Sequence, residues 1–123
     1  MTSELHKAYA LLTRFKEGKM QVGKRVTLRQ LNLLRLLIDD LAPRTKLPEE
    51  IDAPVFERLI FEICEQNARW NRRFMQATVQ AHEACKAGKR LEGLGYLDAF
   101  IKECPSNWYR MHARAVRKDM RGG

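Results

Sequence analysis

Long apolar runs are what this sequence most lacks. No stretch approaches the roughly 18 consecutive apolar residues that cross a bilayer as a helix, so no membrane partner is expected. The opening Met1 to Lys7 has neither the charged start nor the apolar centre of a secretory signal, which points to the cytoplasm. Cysteine is scarce. Cys64, Cys85 and Cys104 are an odd number without a CxxC pair, which argues against a disulfide framework or a zinc site and for reduced core thiols. His82 and Cys85 stand one helical turn apart and could give a metal two ligands, short of the three or four a site needs. No metal and no cofactor is expected.

Catalytic motifs are missing as well. No glycine-rich phosphate loop follows a strand pattern, and neither HExxH nor a Ser/His/Asp constellation can be assembled. The carboxylates gather mostly in one acidic stretch. The expectation is a protein that is not an enzyme.

What is present is helical periodicity with little to interrupt it. With 123 residues, 45% of them apolar, and only 4 prolines and 7 glycines, the chain suits one core and is short for a second. The expected fold is all-α, a single-domain bundle of about five helices spanning 1–123. Leu5, Ala8, Leu12 and Phe15, with Leu11 beside them, mark an amphipathic first helix from about Ser3 to Met20 that ends near Gly18. After a basic loop, Thr27-Leu28-Arg29-Gln30 matches a capping box. The helix it starts carries leucine or isoleucine around most of its circumference and should be the most buried. Pro43 stops it.

Asp52 can cap a third helix, and no glycine or proline follows Pro54 until Gly88. Phe56, Ile63, Trp70, Ala77 and Ala84 repeat every seven residues, with Ile60, Asn67, Phe74 and Ala81 between them. That unbroken register favours one long helix over about 53–87, with a kink near 67–71 as the alternative. Its alanine half calls for a closely approaching partner helix around Ala77 to Ala84. Leu91, Leu94, Leu97, Ile101 and Cys104 mark a fourth helix, weakened by Gly93 and Gly95. After Pro105, Ser106 or Asn107 caps a fifth.

The formal net charge of +8 is unevenly spread. Residues 39–65 hold 8 acidic against 3 basic side chains, a net of −5, so the remainder carries +13. On the fifth helix Arg110, Arg114, Arg117, Lys118 and Arg121 fall within an arc of about 100°, while Tyr109, Ala113, Val116 and Met120 fall together on another. Guanidinium groups suit phosphate through two hydrogen bonds in fixed geometry. Two further groups extend the candidate surface: Lys24 and Arg25, with Lys16 and Lys19, around the first loop, and Arg69, Arg72 and Arg73 beside Trp70. Lys86, Lys89 and Arg90 cluster at the turn between the third and fourth helices.

Three resemblances bear on function. VTLRQLNLLRLL resembles the first helix of helix-turn-helix domains, but the helix after it begins VFERL, where a DNA-reading helix would be polar and basic. ACKAGKRLEGLGYLDAFIKECPSN, residues 84–107, resembles the latter part of a tetratricopeptide repeat, which implies a helical adaptor. In size, basicity and opposed acidic and basic regions, the chain resembles the small helical subunits of CRISPR effector complexes, which line up side by side and hold nucleic acid by its backbone. The resulting expectation is a non-enzymatic, sequence-tolerant subunit of a nucleoprotein complex that binds RNA or single-stranded DNA through its backbone. Other protein subunits are expected as partners. The alternative is an interaction adaptor that binds an acidic protein surface or self-associates through the 39–65 belt.

Overall fold

The computed structural model describes residues 2–18, 23 and 25–122. It is all-α, with five helices and no strand among the described residues: α1 (Thr2–Lys16), α2 (Leu28–Leu41), α3 (Ala53–Lys86), α4 (Arg90–Glu103) and α5 (Asn107–Gly122). The chain divides into two compact units, 1–67 and 68–123. Helix α3 is continuous through 34 residues, about 50 Å at 1.5 Å per residue. Its helical assignment runs through 67–71 without a break. Every residue of the seven-residue series from Phe56 to Ala84 is buried, because seven residues are close to two full turns of an α-helix.

In the first unit, α1 buries Ala8, Tyr9, Leu11 and Leu12, and its end turns at Gly18 in the left-handed region, φ 72°. The capping box of α2 is complete. Thr27 Oγ1 accepts from the Gln30 N–H at 3.1 Å, and Gln30 Oε1 accepts from the Thr27 N–H at 2.9 Å. The buried face of α2 is narrower than its composition suggests: Leu33, Leu34, Leu37, Ile38 and Leu41 are buried, but Leu28 is 71% exposed and Leu31 and Leu36 are only half-buried. Asp52 caps α3, its Oδ1 accepting from the Val55 N–H at 3.0 Å. Asp40 leaves the acidic belt for the interior, where the Tyr9 hydroxyl donates to its Oδ2 at 2.6 Å.

The second unit packs the alanine half of α3 against α4 and α5. The chain leaves α3 through Gly88, φ 79°, with the Lys89 N–H donating to the Ala84 carbonyl at 2.8 Å in a Schellman-type ending. Phe100 of α4 meets Trp70 edge-on with ring centroids 6.2 Å apart and Phe74 at 5.7 Å; Phe74 in turn meets Tyr109 of α5 at 6.2 Å. Leu91, counted from its spacing as a core residue, is 86% exposed, and Phe100 fills the buried face instead. Ser106 caps α5, its Oγ accepting from the Tyr109 N–H at 3.2 Å.

The close helix approach expected at Ala77 to Ala84 occurs at Gly93. A Cβ there would lie 2.8 Å from the Ala81 carbonyl oxygen and 2.9 Å from Cys85 Sγ. Gly95 has open space around the same position.

Two stability outcomes follow from these contacts. Gly93→Ala should lower stability by about 1–3 kcal/mol, because a backbone carbonyl cannot step aside, whereas Gly95→Ala should raise it by about 0.5–1 kcal/mol through reduced chain entropy; urea titration of both variants reads the opposite signs. Tyr9→Phe, which leaves the buried Asp40 carboxyl short of a donor, should cost about 1–3 kcal/mol in the same titration.

Candidate nucleic-acid interface

Helix α5 is anchored through Tyr109, Ala113 and Met120, all buried. Its basic stripe is consequently divided. Arg114, Lys118 and Arg121 are exposed, whereas Arg110 and Arg117 are half-buried along the edge of the packed face. Arg117 faces Asp98 of α4: its Nε donates to Oδ1 at 2.6 Å and its Nη2 to Oδ2 at 3.4 Å. The Arg110 Nε is buried without a hydrogen-bond acceptor. A cation held by a carboxylate offers less to an incoming phosphate, so the open part of the stripe is Arg114, Lys118 and Arg121.

The arginines beside Trp70 divide in the same way. Arg69 and Arg72 are exposed. Arg73 is not an open cation: its guanidinium lies over the Trp70 ring, 4.9 Å from the centroid, and pairs with Glu103 of α4. Trp70 itself is core, as its place on the seven-residue series implies. Arg25 is exposed and belongs to the first unit, while Lys24 lies outside the described residues, as does Lys19.

One basic group gains a neighbour that spacing alone did not supply. Lys86 from the last turn of α3 and Arg90 from the start of α4 meet Asp119 and Met120 of α5 around an open cleft of about 360 Å³, together with His82 and Cys85. From α5 the cleft receives Asp119 and Met120, while Arg114, Lys118 and Arg121 do not line it. A contact between residues about thirty positions apart leaves no trace in helical periodicity, so Lys86 and Arg90 were visible only as an isolated basic turn.

Charge follows the division into units. Residues 68–123 hold 12 basic and 5 acidic side chains, a net of +7, and residues 1–67 hold 11 and 10, a net of +1. The aromatic side chains of the second unit, Trp70, Phe74, Tyr96, Phe100, Trp108 and Tyr109, are all buried or half-buried. Trp108 is engaged edge-on by His112, with centroids 4.7 Å apart. The unit therefore presents cations without an open aromatic platform.

Among the described residues, no group of three or more His, Cys, Asp or Glu side chains could hold a metal ion, and no helix is long and apolar enough to cross a membrane. No family model matches the chain, and neither a curated protein nor a solved structure does.

Cys64 is half-buried, and that burial raises its thiol pKa above the ordinary value, with the charge of Lys16 opposing the shift only in part. Because the thiolate is the reactive form, alkylation of Cys64 at pH 8 should be slower than that of a free cysteine peptide and should accelerate only at higher pH. Site-resolved mass spectrometry after an iodoacetamide pulse measures this.

Proposed function

We propose that the protein is a non-enzymatic, sequence-tolerant nucleic-acid-binding subunit of a larger nucleoprotein assembly, and that it grips the phosphate backbone with its second unit. The observation that carries this reading is the net charge of +7 on the second unit, with Arg114, Lys118 and Arg121 exposed on α5 and Lys86 and Arg90 lining an open cleft at the turn between α3 and α4. Arg69 and Arg72 add open cations to that unit. Cations on a helix anchored by Tyr109, Ala113 and Met120 lose little freedom on binding, which limits the entropic cost of ordering them.

Sequence tolerance follows from what is exposed. Arginine and lysine contacts to phosphate position a nucleic acid without reading it, whereas reading requires contacts with base edges or stacking on bases. Trp70, Phe74, Phe100 and Tyr109 are packed on one another, and Tyr96 and Trp108 are half-buried, so none of the unit's aromatic groups is fully exposed for stacking. Salt dependence is the direct signature of such a grip.

Neutralising three to five phosphates should give log affinity against log salt a slope of about −2 to −4, measured by fluorescence anisotropy with single-stranded RNA and DNA of mixed sequence. Arg114→Ala/Lys118→Ala/Arg121→Ala should weaken binding more than about tenfold at low salt and flatten the slope by roughly 2. Arg117→Ala, which removes a cation already held by Asp98, should change affinity by less than about threefold. A salt-independent affinity, or full binding by the triple variant, overturns the reading.

A further inference from the structure

We propose that copies of this chain join head to tail through the first unit, with Phe61 of one copy seated in a cationic cleft between α1 and α2 of the next. This rests on different residues from the polyanion grip and does not require it.

The receiving half is an open cleft of about 380 Å³, within the range of roughly 300–1,000 Å³ typical of pockets that enclose a bulky group. Ala10, Leu11 and Leu33 supply its apolar surface, and Lys7, Arg14 and Arg29 its charge. No Asp or Glu lines it. Among the described residues Arg14 and Arg29 carry no ion pair, and the one Lys7 makes, with Glu4 at 3.4 Å, is exposed on both sides. Such a pair is weak enough to exchange partners.

The inserting half is the solvent face of α3 before residue 67. Phe61 is 56% exposed on a helix that buries Phe56, Leu59, Ile60 and Ile63. Glu57 and Glu65 stand one turn before and after it, Glu62 adjoins it, and all three are exposed. None of the three is in an ion pair among the described residues. Arg58, also exposed, stands three residues before Phe61, so the rim of three carboxylates and this cation keeps a net negative charge opposite the cleft's three cations. Exposure points to the same two places: among the described residues of the first unit, the large exposed apolar side chains are Phe61 and Leu28, and Leu28 lies between Thr27 and Arg29, which both line the cleft.

The two halves are different surfaces, since neither Phe61 nor its flanking glutamates line the cleft. Such a contact is heterologous, so each copy keeps one unused half and the association runs on instead of closing as a two-fold dimer. It is also weak. One phenylalanine buries about 150–250 Å², well under the roughly 800 Å² per partner of a stable interface, so assembly belongs to the micromolar to millimolar range.

Sedimentation velocity on the full chain, freed of nucleic acid, tests this at low salt over about 10–500 µM. The wild type should grow with concentration past the dimer, and 1 M salt should reverse part of the growth by screening the rim charges. Phe61→Ala and Arg14→Glu/Arg29→Glu should each remain monomeric, because one half is lost in each. Their equimolar mixture should form a dimer and nothing larger, since each variant retains the half the other lacks. Circular dichroism confirms that both variants stay helical; their changes lie on exposed residues. A wild type that is monomeric throughout, a closed dimer indifferent to both variants, or a mixture that stays monomeric overturns the proposal. None of these outcomes alters the phosphate-binding titration, whose residues lie in the second unit.

Discussion

Backbone against backbone at Gly93 and Ala81 is the constraint on which the second unit depends. A residue with a Cβ at position 93 would press on the Ala81 carbonyl, so glycine there sets how near α4 can come to α3. That nearness brings Phe100 within reach of both Trp70 and Phe74, and Phe74 within reach of Tyr109. The aromatic cluster then joins three helices, and α5 is held by the same contacts that exclude water from the core. Alanines at 77, 81 and 84 are part of one solution: small side chains on α3 and a missing one on α4 let dispersion contacts form between main chains. Helix propensity is given up at Gly93 because packing there is worth more than the roughly 0.5–1 kcal/mol that glycine costs a helix.

The same packing decides which cations stay open. With Tyr109 and Ala113 turned inward, Arg117 lies along the edge of α4 and meets Asp98, while Arg114 and Lys118 are left in solvent. Arg73 is drawn onto Trp70 because that ring is fixed by Phe100 and presents its face to the guanidinium. Both ion pairs are substantially exposed, so their contribution to stability is at most about 1 kcal/mol each. Their larger effect is on surface charge, since each ties one arginine to a carboxylate and leaves the neighbouring cations unopposed.

Much of this was legible in the sequence, for a definite reason. A seven-residue series of large apolar groups from Phe56 to Trp70, continued by alanines, states a helix, its buried face and the size of the partner's gap, because all three follow from local spacing. The Thr27 and Asp52 caps are equally local, each closing a hydrogen bond within three residues. What spacing could not convey is pairing between distant positions. Asp98 reaches Arg117 across 19 residues, Glu103 reaches Arg73 across 30, and Tyr9 reaches Asp40 across 31. A wheel drawn for α5 alone therefore placed five cations on one stripe correctly in angle, yet could not say that the edge of the stripe was occupied. Leu28 and Leu91 misled in the opposite sense: each fits the apolar period at the first or second residue of its helix, yet each is exposed.

The division of charge between the units has a consequence for how two weak interactions combine. On the proposed reading, a few open arginines and lysines would give a salt-sensitive grip on a polyanion, and one phenylalanine in a cationic cleft would give a contact of similarly modest strength. Neighbouring copies held on one strand would meet at an effective concentration set by their spacing, not by the bulk solution, which reaches the millimolar range for short separations. A contact that assembles free protein only at high concentration would then suffice to order bound protein at low concentration, and each added neighbour would lower the chance that the strand is released. The first unit's near-neutral balance of 11 basic and 10 acidic side chains matters here. Were it as basic as the second, like charges would oppose the approach of the next copy at the spacing the strand imposes. Separating a unit of balanced charge from a strongly cationic one would let a single small chain attract a polyanion and still tolerate its own neighbours.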